Sequence, residues 1–223
     1  KVLRPLRSSF ERYGEVFVSL GVSFVPNFVS LYDEGVGDEG LYSELTPPKS
    51  SGERWIGVAP FAKHKGKIYP LDRMEKVVSK LSEESRVKIF LFGSGDRERE
   101  ILSLWRERYP GVISLADKRY GFAVELSLMS RLDVMISMDS ANMHLASLVE
   151  VPVVSVWGAT HPYCGFLGWR QSDSGVVELP LDCRPCSVFG NKPCYRKDYA
   201  CLEIAPETIV DRVKSLETLI KEK

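Results

Sequence analysis

The sequence has no long hydrophobic run, no excess of either charge and no signature of a secreted disulfide scaffold. Its apolar segments all fall short of the ~18 residues that span a membrane, so no transmembrane helix is predicted. Lysine plus arginine number 30 and aspartate plus glutamate also number 30, which argues against broad nucleic-acid binding. Five cysteines in 223 residues do not suit a disulfide scaffold. We therefore expect a globular protein that binds no nucleic acid.

Several catalytic motifs are also missing. The chain has no Walker phosphate-binding loop, no Gly-x-Ser-x-Gly nucleophile elbow and no His-Glu-x-x-His zinc motif. No pair of carboxylates stands out as an acid–base couple. A functional site must therefore be sought in the loops of the predicted fold.

From residue 54 onwards, short apolar segments alternate with amphipathic ones. Five apolar or β-branched segments predict strands at 55–59, 87–92, 112–115, 134–137 and 153–157. Helices are predicted at 71–81, 97–109, 124–130, 141–149 and 206–220. Strands that are apolar along their whole length are buried on both faces, as in a parallel sheet. The pattern therefore predicts an α/β fold with a Rossmann-like, doubly wound parallel sheet.

The first 52 residues differ in composition from the rest. Segment 8–20 is predicted to form a short amphipathic helix, with Phe10, Tyr13, Phe17 and Leu20 at helical spacing. A stretch rich in Gly, Asp, Glu and Ser follows, and it ends in Thr-Pro-Pro-Lys-Ser-Ser-Gly, which is typical of a linker. We place a domain boundary near residue 52, with one α/β domain at 53–223.

Two loops after predicted strands are the first candidates for a site, because ligands of a doubly wound sheet bind beyond the carboxyl ends of its strands. Lys63, Lys65 and Lys67 follow the first strand. Lysine suits a phosphate, although a solvated basic loop is the plainer interpretation. After the second strand, Gly-Ser-Gly at 93–95 allows close approach to a ligand, or simply makes a tight turn. Asp96 can then hold a ribose hydroxyl or cap the next helix.

The loop after the fourth predicted strand is the most informative. Asp139, Ser140 and Ala141 open a helix in which His144 lies one turn further on. Free N–H groups at a helix start bind anions, whereas the alternative is a simple cap followed by a packing histidine. Thr160 adds a hydroxyl after the next strand. Together, four loops at one sheet edge favour a site for a nucleotide diphosphate.

Four cysteines lie close together in the sequence. Cys183, Cys186, Cys194 and Cys201 have the spacing Cys-x₂-Cys-x₇-Cys-x₆-Cys in a loop rich in Pro, Gly and Asn. Four thiolates can bind a structural zinc ion, but one or two disulfides or packed thiols also fit the pattern. A catalytic zinc is not expected, because four thiolates leave no open coordination position.

These segments resemble glycosyltransferase family 9, the heptosyltransferase family of lipopolysaccharide core synthesis. The resemblance depends on Asp-Ser-Ala at 139–141, His-Leu-Ala at 144–146 and Gly-Ala-Thr at 158–160. Lys-Ile-Tyr-Pro at 67–70 is similar to the family's Lys-x-Trp-Pro. The cysteines followed by Pro-Glu at 206–207 are similar to the cysteine-rich tail of many members. The resemblance covers about residues 54–215 and, weakly, the helix at 8–21.

The resemblance implies half of a GT-B glycosyltransferase, namely the domain that binds the nucleotide-sugar donor. Residues 1–52 would be the trailing helix and linker of an N-terminal domain that holds the acceptor and the base. The implied reaction is inverting transfer of a heptose from an ADP-sugar to a lipid-linked saccharide acceptor, with no metal cofactor needed. The implied location is the cytoplasm, peripheral to the inner membrane. We expect this chain to bind a nucleotide but to transfer no sugar unaided.

The resemblance also implies roles for particular residues. Lys67 and His144 would be catalytic: Lys67 would bind the donor phosphate and stabilise the leaving diphosphate, and His144 would touch the diphosphate or sugar. Asp139, Ser140 and Ala141 would form the diphosphate cradle, although many members have glycine at the position of Ala141.

The resemblance implies two further positions, of which only Asp96 departs from the family pattern. Thr160 would line the same pocket, and Asp96 is displaced from the family's ribose-binding glutamate. Two other functions fit the sequence. One is a non-catalytic nucleotide-binding or zinc-stabilised interaction module, and the other is a GT-B transferase or epimerase that uses a UDP-sugar.

Overall fold

A six-stranded parallel sheet forms the centre of the protein. The computed structural model describes residues 3–221. The strands are β1 (Arg54–Ala59), β2 (Val87–Leu91), β3 (Val112–Ser114), β4 (Val134–Met138), β5 (Val153–Trp157) and β6 (Val176–Glu178). Their order is β3-β2-β1-β4-β5-β6, and every neighbouring pair is parallel. The chain reverses direction across the sheet between β1 and β4, so the predicted doubly wound fold is confirmed.

Helices α2 to α6 cover both faces of this sheet. The described helices are α1 (Ser9–Ser19), α2 (Leu71–Ser82), α3 (Asp96–Arg108), α4 (Phe122–Met129), α5 (Ala141–Leu148) and α6 (Pro206–Lys221). Buried side chains of α2, α3 and α6 share one apolar core with the sheet, and those of α4 and α5 share the other. Both faces of the central strands are therefore buried, which is why these strands are apolar throughout.

The predicted elements are found within a few residues of their expected bounds, with one omission. Strand β6 was not predicted, because it has only three residues and a short 3₁₀ helix directly precedes it. It pairs with β5 at the edge of the sheet. None of the helices in the described residues is both long enough and apolar enough to cross a membrane.

Helix α1 forms as predicted, but its apolar stripe is not covered by the described residues. Ser8 and Glu11 form a capping box that begins the helix. Phe10 contacts Trp169, with ring centroids 5.0 Å apart. Tyr13 is 69% exposed and Leu20 is 72% exposed. The helix therefore presents an apolar face outward.

Part of the segment predicted as a linker packs against the sheet. Tyr42 is buried beside Trp55, with ring centroids 6.1 Å apart. The Ser127 hydroxyl of α4 donates a hydrogen bond of 2.6 Å to the Asp38 carbonyl. The composition of this segment does not reveal the packing, because its few apolar residues are spaced too widely to form a pattern.

Candidate functional site

A cavity of about 700 Å³ opens at the carboxyl edge of the sheet. Side chains from the loops after β1 and β2, the end of β3 and the starts of α4 and α5 line it, among them Lys67, Ser94, Glu98, Leu115, Phe122, Glu125, Asp139, Ser140, Ala141 and His144. Five of the predicted site residues, namely Lys67, Asp139, Ser140, Ala141 and His144, are therefore brought together. Lys67 and His144 share one cavity, which is the arrangement expected of a ligand site.

Lys67 is held in place by a buried carboxylate. Its Nζ lies 3.0 Å from Oδ2 of Asp139, and that oxygen also accepts a hydrogen bond of 2.8 Å from the Thr160 hydroxyl. An ionised carboxylate is only an acceptor, so Asp139 orients the ammonium rather than binding an anion itself. Thr160 is fully buried behind Asp139 and does not line the cavity, contrary to the prediction. Its hydroxyl instead holds the Asp139 carboxylate in position.

The start of α5 faces the same cavity. Ser140 has extended backbone angles, and its side chain does not cap the helix. The first N–H groups of a helix carry partial positive charge and bind anions when no side chain caps them. The Lys67 ammonium and the N-terminus of α5 thus face the same part of the cavity. A ligand with two or more negative charges fits this combination.

His144 lies on the first turn of α5 and is partly buried. Burial lowers the pKa of His144, while Asp139 raises it and Lys67 lowers it further. The imidazole is therefore neutral near pH 7, and it gains a favourable partner if an anion enters the cavity.

Asp96 does not line the cavity, contrary to the prediction, and Glu98 lines it instead. Asp96 is the first residue of α3, its side chain is 87% exposed, and it pairs with Arg99. Glu98 lines the cavity and accepts a hydrogen bond of 2.8 Å from the backbone N–H of Ser94. A glutamate at the third helical position commonly reaches back to the loop before the helix. The predicted helix start at residue 97 hid this signal, because it made Glu98 the second helical residue and not the third.

The loop after β5 approaches the lysine loop very closely. The Ala159 N–H donates a hydrogen bond of 2.8 Å to the Gly66 carbonyl. A Cβ added to Gly158 would lie 2.4 Å from that carbonyl oxygen, so only glycine fits there. This hydrogen bond therefore fixes the position of the Lys67 loop relative to the edge of the sheet.

Arg184 is a buried structural residue that sequence reasoning missed. It is only 2% exposed, and its guanidinium donates to one carboxylate and four carbonyls, those of Glu178, Trp157, Gly158, Thr160 and Leu179. Three of these carbonyls belong to the end of β5 and the loop after it. Arg184 therefore holds the loop on which Thr160 and Asp139 depend. No composition signal marks it, because most arginines are exposed.

The four cysteines of the predicted zinc site lie near one another, since Cys183, Cys186 and Cys194 all act electrostatically on Cys201, and the zinc site itself stays a prediction. Cys194 and Cys201 are buried, whereas Cys183 and Cys186 are half-buried. Burial raises the pKa of Cys201 to about 11. The described residues contain no group of three or more His, Cys, Asp or Glu side chains placed to hold a metal ion.

The chain belongs to glycosyltransferase family 9, the heptosyltransferase family, whose model matches residues 38–194. Lipooligosaccharide heptosyltransferase 2 of Campylobacter jejuni is 25% identical over 172 residues, which cover 75% of this chain and 53% of that protein. This chain therefore spans about half the length of the curated relatives that it matches. The predicted resemblance is confirmed.

Solved structures show the same fold. A family 9 glycosyl transferase from Veillonella parvula superposes with a TM-score of 0.72 at 17% identity, covering 98% of this chain and 62% of that one. The E. coli heptosyltransferase WaaC with ADP superposes with a TM-score of 0.66 at 16% identity, covering 97% of this chain and 59% of that one. The fold is thus that of half of a GT-B glycosyltransferase.

Proposed function

We propose that this chain is the donor-binding half of a glycosyltransferase that transfers a heptose, or a related sugar, from an ADP-sugar. The observation that carries the proposal is the Lys67–Asp139 pair facing the start of α5 across one cavity. Two solved structures of one relative, the E. coli heptosyltransferase WaaC, support an adenosine diphosphate donor, since one is described with ADP and the other with ADP-2-deoxy-2-fluoro heptose.

In this proposal, the donor diphosphate lies between the Lys67 ammonium and the first N–H groups of α5. Asp139 fixes the ammonium, and His144 closes the same end of the cavity. Charge grows on the diphosphate as the bond to the sugar breaks. Fixed positive groups stabilise that charge without needing to reorganise. Lys67 is therefore the principal catalytic group of this half.

The nucleoside extends from the diphosphate across the sheet edge. Glu98 lies on the β2 side of Lys67 and can accept hydrogen bonds from ribose hydroxyls. Leu115 and Phe122 supply an apolar wall beyond it. A flat, apolar base fits such a wall.

The remaining parts of the reaction are assigned to a preceding domain. Residues 1–52, with the outward apolar face of α1, would join this chain to the domain that supplies the acceptor site and the base. The acceptor would be a lipid-linked saccharide, which would place the enzyme at the cytoplasmic surface of the inner membrane. The chain alone would then bind the donor but transfer no sugar.

Calorimetric titration with ADP and UDP tests the proposal. We expect saturable binding that is tighter for ADP. Lys67→Ala should weaken ADP binding about tenfold or more, because a charge-assisted contact is worth roughly 1.5–3 kcal/mol. Lys65→Ala is the matched control, since Lys65 is two residues away and does not line this cavity.

Either of two results would count against the proposal. An unchanged ADP affinity in Lys67→Ala would show that the diphosphate does not bind in this cavity. Tighter binding of UDP than of ADP would show that the site binds a nucleotide but that the donor is a UDP-sugar.

A further inference from the structure

The candidate cavity has a cationic end and a carboxylate end. Loops after β1 and β4, which are neighbours in the sheet, supply Lys67 and Ser140. The loop after β2 comes next across the sheet and leads to Glu98. Beyond it lie the end of β3 and the start of α4, which supply Leu115 and Glu125. A ligand that spans the cavity from Lys67 therefore ends near Glu125.

Glu125 is a partly buried carboxyl that has no hydrogen-bond or ion-pair partner among the described residues. Phe92, Leu115 and Phe122 line the same cavity and are apolar. Within the described residues, no side chain or backbone N–H donates a hydrogen bond to it, and no cation pairs with it. Burial alone raises the pKa of Glu125. Burying a carboxyl without a partner costs free energy, which a donor on a bound ligand offsets.

We propose that Glu125 selects the base, its carboxyl accepting a hydrogen bond from the exocyclic 6-amino group of adenine. This inference rests on the proposed function, because the diphosphate at Lys67 and the ribose at Glu98 set the direction of the nucleotide. Uracil has no exocyclic amino group. Its ring N–H stands between two carbonyl oxygens, which a carboxylate repels. The same residue thus favours ADP over UDP.

The test compares ADP with purine riboside 5′-diphosphate, which differs from ADP only by lacking the 6-amino group. We expect the wild type to bind ADP about tenfold more tightly, since a hydrogen bond to a charged group contributes roughly 1.5–3 kcal/mol. In Glu125→Leu the two affinities should agree within about twofold. In Glu125→Gln most of the preference should remain, because an amide also pairs with the edge of adenine.

Two controls separate loss of recognition from loss of structure. Glu100→Leu replaces an exposed glutamate that does not line the cavity and should leave the ratio unchanged. Inorganic diphosphate, which has no base, should bind Glu125→Leu as tightly as it binds the wild type.

The outcomes distinguish this inference from the function on which it rests. If Glu125→Leu keeps the wild-type preference while Lys67→Ala still weakens ADP binding, the assignment of Glu125 is wrong and the proposed site stands. If the wild type binds neither nucleotide, the proposed function fails and this inference fails with it.

Discussion

Replacing Arg184 with alanine should lower the free energy of unfolding far more than replacing any exposed residue. The change leaves three buried carbonyls, the half-buried carbonyl of Leu179 and the half-buried Glu178 carboxylate without the donor that they share. Removing one partner of a buried ion pair costs about 3–5 kcal/mol. A plain sum over five lost hydrogen bonds would exceed this, but water can enter and satisfy some of the acceptors. We therefore expect a loss of about 3–5 kcal/mol, a large fraction of a typical total of ~5–15 kcal/mol.

Urea denaturation followed by tryptophan fluorescence measures this loss, because Trp55 and Trp157 are fully buried. The midpoint should fall while the slope stays constant, which indicates a change in stability alone. Arg184→Lys should lose less than alanine, since it keeps the charge but not the planar fork. Arg108→Ala, at an exposed ion pair with Glu75, should change stability by no more than about 1 kcal/mol. A loss below about 1 kcal/mol in Arg184→Ala would refute the reasoning.

Two further predictions concern the site itself. Burial lowers the pKa of His144 in the free protein, and a bound diphosphate would raise it again, so ADP binding should take up protons at pH values between the pKa of the free and of the bound form. Titrations in two buffers of different ionisation enthalpy should show this proton uptake for the wild type and less of it for His144→Gln. Equal uptake in the two proteins would show that His144 is not the group that takes up the proton. Gly158→Ala should cost about 1–3 kcal/mol and weaken ADP binding, because its Cβ would push the Gly66 carbonyl, and with it the Lys67 loop, away from β5. Urea denaturation and calorimetry measure the two effects, and unchanged ADP affinity would show that this contact does not position Lys67.

The sheet and the cationic end of the cavity could be predicted from sequence because local signals coincide there. Continuous apolar segments identify strands buried on both faces, and the order of strands and helices then puts their loops at one edge. Lys67, Ser140 and His144 all lie within eight residues of a predicted strand end. No long-range information was needed to bring them together.

The other end of the cavity depends on details that sequence patterns resolve poorly. Choosing between Asp96 and Glu98 requires the start of α3 to within one residue, and element boundaries are the least certain part of such a prediction. Thr160 shows a related limit, since its position after β5 is correct but its hydroxyl turns to Asp139 rather than to the cavity. The outward apolar face of α1 also could not be foreseen, because an amphipathic pattern does not say what covers it.

Arg184 illustrates a third limit. An arginine in a loop is ordinarily exposed, and nothing in the local sequence shows that four carbonyls converge on it. Only the crossing of the β5 loop with the segment after β6 creates that cluster of acceptors.

The most direct test of the account is an amide chemical-shift titration of the isotope-labelled chain with ADP. In the proposed complex, the diphosphate lies between Lys67 and the start of α5. The largest shift changes should therefore fall on the amides of 66–68 and 140–144, and in Lys67→Ala they should need about tenfold more ADP, or more, to reach half saturation. Shift changes confined to other surfaces, or unchanged in that variant, would contradict it.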